Sequence, residues 1–119
     1  MTKTPQSYQL FIQIKENIAL QIGKLGYFEF PAGDYVYTGS ARRNIEARIR
    51  RHLSKNKKLH WHIDYLLQHP AVKILSTQTS ELAECVLNKQ IEGSIVVEGF
   101  GASDCRQWCG SHLKKLKQA

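Results

Sequence analysis

Between Asp34 and Leu53 the chain reads DYVYTGSARRNIEARIRRHL, setting two phenols, Tyr35 and Tyr37, just ahead of five arginines and a histidine. A phenol has a pKa near 10 and serves as a base around neutrality only where cations favour its phenolate. Guanidinium groups supply that charge, and their planar fork also binds phosphate. On a helix, Asn44, Arg48 and His52 fall on one stripe at four-residue spacing, beside an apolar stripe of Ile45, Ile49 and Leu53. Arg48 therefore borders the expected buried face, held either for a ligand or as a structural partner of Asp34 or Asp64. Tyr35 and Tyr37 share a strand face by the two-residue period, and Tyr35 is assigned to packing.

A second cluster, LHWHIDYLL, spans residues 59–67. As a helix it puts His60 and Asp64 on one face, so that the carboxylate would orient the imidazole. His62 is read, like Asp64, as a support for the fold. Trp61 and Tyr65 share another stripe, suited to core packing or to stacking an unpaired base. Further on, the spacing of Cys105, Cys109 and His112 invites zinc, with Cys85 as a fourth ligand if the fold brings it near. The competing reading buries the thiols on a helix starting near Asp104. Its first N–H groups, with Ser103, would hold a phosphate or shape a pocket.

These groups need a frame. YQLFIQI, Tyr8–Ile14, alternates as a half-buried strand does. Further short strands are expected around residues 18–22, 27–30 and 35–38, with turns at Gly23, Gly26 and 31–33. Helices are expected over 41–53, over 59–68 with Pro70 as the stop, and over 80–90 with Ser80 near the N-cap. Strands are expected over 71–78 and 94–100, followed by a basic helix ending SHLKKLKQA. Early hairpins imply antiparallel pairing. The expected fold class is therefore α/β of the α+β kind, a small, mixed, largely antiparallel sheet flanked by helices, in one domain over 1–119.

Charge narrows the partners. Seventeen basic against ten acidic side chains give a net charge of +7, and Arg42, Arg43, Arg48, Arg50, Arg51, Lys55, Lys57 and Lys58 crowd into one stretch. Neutralising phosphates releases counterions, so such a surface favours nucleic acid. No run nears the roughly eighteen apolar residues of a membrane span, and the N-terminal stretch lacks a signal-peptide core. A cytoplasmic location and no membrane partner are expected, and no obligate protein partner is evident. Three cysteines, an odd number, suit a reducing compartment better than a disulfide scaffold.

Taken in order, Tyr8, the Tyr37-Thr38-Gly39 turn and the Asn44, Arg48, His52 helix resemble the GIY-YIG nuclease superfamily. The continuations FPAGDYVYTGSA, HWHIDYLL and GFGASDC…SHL are similar to its Uri-like branch of small stand-alone domains. The resemblance implies metal-dependent hydrolysis of phosphodiester bonds in DNA, with Tyr37 as general base, Arg48 on the scissile phosphate and Tyr8 lining the site. It also implies one glutamate on a late helix as metal ligand. ELAECVLNK offers Glu84 in a Glu-x-x-Leu pattern, with Glu81 one turn earlier as competitor. Mg²⁺, or Mn²⁺, suits a single carboxylate because it keeps several waters and takes phosphate oxygens. His60 falls where some members carry an auxiliary histidine, and His52 would move a proton or bind phosphate. Arg42, Arg43, Asn44, Arg51, Lys57 and Lys58 are expected to contact DNA.

The chain departs from the superfamily at Ser40, where some relatives carry lysine, and at Gln6-Ser7-Tyr8, where Gly-Ile-Tyr is usual. No asparagine stands at the usual late position, for which Ser103 or Asp104 could substitute. Single-stranded or locally distorted DNA, with its backbone accessible, is the expected substrate form. Two other classes compete: a non-catalytic DNA- or RNA-binding module on the same scaffold, which has no need of Glu84, and a zinc-stabilised protein-interaction domain.

Overall fold

The structure is a computed structural model, and it describes residues 6–41, 44–54, 61–91, 93–97, 99–100 and 111–116. Alternation builds β1, Ser7–Ile14, in which Tyr8, Leu10, Ile12 and Ile14 share one buried face. The chain continues through β2 (Ile18–Ile22), a 3-10 turn at Gly23–Leu25, β3 (Gly26–Phe30) and β4 (Gly33–Ser40). Then come α1 (Ile45–Leu53), α2 (His62–Leu67), β5 (Val72–Ser80), α3 (Glu84–Lys89), β6 (Gly93–Ile95) and β7 (Leu113–Leu116).

Five strands form one antiparallel sheet in the order β5-β1-β4-β7-β6, and β2 with β3 forms a separate hairpin. The class is α+β, as the early hairpins implied. At the centre, β1 and β4 pair without interruption from Ser7↔Ser40 to Ile14↔Gly33. That register sets Tyr8 opposite Gly39, Leu10 opposite Tyr37 and Ile12 opposite Tyr35. All of these lie on one face, which Phe30, Ile63, Leu66, Leu67 and Phe100 cover to make the main core. The opposite face carries Gln9, Val36 and Thr38, also buried. There Gln9 Nε2 donates to Thr38 Oγ1 at 3.3 Å and Gln78 Nε2 donates to Gln9 Oε1 at 2.7 Å, so these polar groups are satisfied. α2 lies against β2 and β5, and α3 against β4 and β1.

Several elements differ from what the pattern of residues suggests. α1 starts at Ile45 rather than Ala41, because Asn44 takes a left-handed conformation (φ 52°) that interrupts the helix. α3 starts at Glu84. Ser80 ends β5 instead of capping a helix, and its hydroxyl accepts from Leu82 N at 3.1 Å in the following turn. The strand expected over 94–100 shortens to β6, while Val97 and Phe100 fill the core from a turn.

The largest departure is at Leu113–Leu116. The i, i+3 leucines of LKKL read as a helical stripe, yet the segment is the strand β7, hydrogen-bonded to β4 on one side and β6 on the other. The open edge of β4 needs a partner, and that tertiary demand outweighs local propensity. The helix expected over 59–68 runs from His62 to Leu67, ahead of Pro70 as anticipated. The helix expected near Asp104 lies outside the described residues. No helix among the described residues is long and apolar enough to cross a membrane.

Candidate functional site

The motif residues of β1, β4 and α1 meet over the central strand pair. Tyr8, Tyr37 and His52 are all buried, at 2%, 7% and 2% exposure. The Tyr8 hydroxyl and His52 Nε2 share a hydrogen bond of 2.7 Å. The Tyr37 ring meets His52 edge-on, with centroids 6.2 Å apart, and Phe100 in the same manner at 6.3 Å. Gly39 makes this packing possible: a Cβ there would lie 2.5 Å from both Cζ and Oη of Tyr8. Tyr37-Thr38-Gly39, expected as a turn, lies inside β4, and Gly39 is a seat for the Tyr8 ring.

His52 corrects the expected face of α1. Its spacing put Leu53 in the buried stripe, but Leu53 is 51% exposed and His52 takes the inward position beside the half-buried Ile45 and Ile49. A buried phenol needs a hydrogen-bond partner, which an imidazole provides and a leucine cannot.

Burial also decides the electrostatics. It pushes the Tyr37 phenol well above the usual value, the charges of Tyr8, Glu84 and Asp64 push the same way, and Arg48 opposes them. For Tyr8 burial again raises the pKa most, and Arg48 is the strongest opposing influence. The expected lowering by neighbouring arginines is therefore present but outweighed by loss of water. Tyr35 belongs to the packing, as anticipated: its hydroxyl donates to the Pro31 carbonyl at 2.7 Å, and burial lifts its pKa to about 12.

Arg48 is held at two points. Nη1 donates to the Ser40 carbonyl at 2.7 Å, and the guanidinium carbon sits 4.8 Å from the centre of the Trp61 ring. Arg51 stacks on the same ring at 4.4 Å. Its Nη1 and Nη2 also grip the fully buried Asp64 carboxylate at 2.9 and 3.0 Å. Asp64 Oδ2 accepts in addition from Trp61 N at 2.9 Å, closing the first turn of α2. Asp64, one of the structural partners foreseen for Arg48, thus goes to Arg51, and among the described residues no carboxylate pairs with Arg48. Trp61 packs against the core, as expected, and also holds two guanidinium groups, a role its spacing did not signal. His62 lies tilted against Phe100 at 5.7 Å, and burial lowers its pKa.

On α3, Glu84 stands at the first helical position, and its charge reaches both phenols. Its Oε1 lies 3.4 Å from Nδ1 of the buried His112, and Cys85 Sγ lies 4.0 Å from His112 Nε2. One donor atom from each of Glu84, Cys85 and His112 falls within 4.8 Å of the others, a group able to hold a metal ion. Mg²⁺ takes oxygen ligands, and of these donors only the Glu84 carboxylate suits it. Glu81, the competitor, is exposed and outside this group.

The sequence spacing groups His112 with Cys105, Cys109 and, if the fold brings it near, Cys85. The fold does bring Cys85 near, while Cys105 and Cys109 lie outside the described residues together with Arg42, Arg43, Lys57, Lys58, His60, Ser103 and Asp104. The place of His112 beside Glu84 follows from the unforeseen β7: Thr38 N donates to the His112 carbonyl at 2.9 Å, continuing the β4–β7 pairing. Asn44 is exposed at the head of α1, and its carbonyl accepts from Arg48 N at 3.1 Å.

Comparison with curated proteins and comparison with solved structures each give no match. A family model does match, over residues 7–119, and so takes in every element described above. The chain belongs to the family described as domain of unknown function DUF123.

Proposed function

We propose that the protein is a divalent-metal-dependent hydrolase of phosphodiester bonds in DNA, working in the manner of the GIY-YIG nucleases it resembles. One observation carries the reading: Tyr8 of β1 and Tyr37 of β4 flank His52, Arg48 of α1 is fixed to the Ser40 carbonyl at the end of β4, and α3, which bears Glu84, packs against both strands. A phenol, a guanidinium and a carboxylate from separate elements share one electrostatic neighbourhood, as hydrolysis of a phosphodiester requires.

Arg48 binds the scissile phosphate with the N–H donors that Ser40 does not occupy, and the Trp61 ring fixes the plane of its fork. Tyr37 acts as the phenolate, its own proton passed to solvent beforehand, and its Oη takes a proton from the attacking water as the water oxygen bonds to phosphorus. The bond to the departing sugar oxygen then breaks, and that oxygen picks up a proton from solvent. The Tyr8–His52 hydrogen bond braces the wall beside Tyr37. Glu84 would hold a divalent ion, whose positive charge would offset the carboxylate's upward push on both phenols and the charge gathering on the phosphate.

The test is cleavage of single-stranded, duplex and branched DNA by the full chain, with and without Mg²⁺ or Mn²⁺. Glu84→Ala and Tyr37→Phe are each expected to cut the rate by about 10²-fold or more. Cleavage that survives both changes rejects the assignment. Salt-dependent DNA binding with no cleavage in any metal supports a second reading, a non-catalytic nucleic-acid module. The burial that drives the Tyr37 pKa upward is the observation in its favour.

A further inference from the structure

The His112 imidazole lies between two unlike donors, with the Glu84 carboxylate 3.4 Å from Nδ1 and the Cys85 thiol 4.0 Å from Nε2. Neither separation makes a strong hydrogen bond. Each, taken alone, approaches an edge of a tetrahedron around zinc. With bond lengths of about 2.0–2.1 Å to nitrogen or oxygen and about 2.3 Å to sulfur, those edges are about 3.3 Å for N–O and about 3.6 Å for N–S. A single ion takes one imidazole nitrogen, so the remaining edge contracts from at most 4.8 Å, within reach of side-chain rotation.

We infer that Glu84, Cys85 and His112 form a binding site for a zinc-class divalent ion. Thiolate and imidazole select zinc, cobalt, nickel or copper and are poor ligands for Mg²⁺ or Mn²⁺. Cys85 and His112 are 9% and 1% exposed, whereas the Glu84 side chain is 26% exposed, so the site opens to solvent at its carboxylate. Three protein donors leave a fourth position for water or a phosphate oxygen.

Zinc capture is independent of the hydrolase reading; only its consequence rests on that reading. Glu84 belongs to both sites, so on the hydrolase reading the cleavage rate in zinc should differ from that in Mg²⁺.

The experiment uses the full chain, stripped with a chelator and titrated with Co²⁺ and then Zn²⁺. Cobalt should bind at one ion per chain with a thiolate-to-metal charge-transfer band, and zinc should displace it. Cys85→Ser should abolish the band, and His112→Gln should weaken zinc by more than about tenfold, the least expected when a ligand is lost. The double variant Cys105→Ser/Cys109→Ser should keep the band. A band that persists in Cys85→Ser, or vanishes in the double variant, overturns the inference. Should the variants fail to fold, X-ray absorption of the zinc-loaded native protein decides: one sulfur in the shell supports the site, and none, two or more overturns it. No step of this reads turnover, so a failed zinc site leaves the hydrolase reading standing, and an inactive protein leaves the zinc site standing.

Discussion

Gly39 and Tyr8 show how a single position constrains the whole candidate site. They are cross-strand partners, and the ring of one occupies the space that a side chain on the other would need. Gly39→Ala would drive a Cβ into Cζ and Oη of Tyr8 at 2.5 Å, so the ring must swing away from His52. The expected cost is about 1–3 kcal/mol of stability, the usual penalty for overpacking a filled core. Denaturant midpoints should reveal it, and combining it with Tyr8→Ala should recover most of the loss through a favourable coupling. Equal, additive losses would show that the ring and the glycine do not press on one another. The motif spacing announced a tyrosine and a glycine as a pair. That the pair is a steric lock became visible only with the β1–β4 register, which no local pattern specifies.

At the scale of elements, the head of α2 shows why some of the site was legible and some was not. Spacing made Asp64 a candidate partner for an arginine, and the structure gives it Arg51 together with the backbone of Trp61. Which arginine it takes depends on how α1 and α2 cross, a tertiary choice. With its carboxylate fully buried, the pair resists disruption from one side. Arg51→Ala is expected to cost about 3–5 kcal/mol because it strands a buried charge, measured again by denaturant unfolding. It should also disturb Arg48 by loosening the Trp61 platform the two share. A loss below about 1 kcal/mol, typical of a surface pair, would mean that solvent reaches Asp64 freely. The strands β1 to β4 were legible because alternation and turn residues agree. β7 was not, since LKKL satisfies a helical period while its pairing depends on a strand edge formed some eighty residues earlier.

For the molecule as a whole, three buried phenols set the response to alkali. Tyr8, Tyr35 and Tyr37 all have pKa values raised by burial, Tyr35 to about 12. In the unfolded chain they ionise near pH 10. A raised folded-state value means that their contribution is fully present below about pH 10 and drains away as pH climbs past it, since only the unfolded chain releases those protons. Thermal unfolding should therefore hold steady to about pH 10 and then fall steeply, together with a late, unfolding-coupled rise in phenolate absorbance. Tyr37→Phe should flatten the fall. Early, reversible ionisation of all five tyrosines in the folded protein would contradict the packed arrangement of β1 and β4.

Between them, β7 and its neighbours also impose a timetable on synthesis. The strand that ties β6 to the sheet, and that carries the backbone of His112 alongside Thr38, leaves the ribosome long after β1, β4 and α3. A nascent chain short of residue 113 has the phenols and Glu84 but leaves the far side of β4 bare, and loop closure over so great a distance is slow. A chain stalled before that point therefore lacks His112 and the strand that pairs with β4 beside Tyr37.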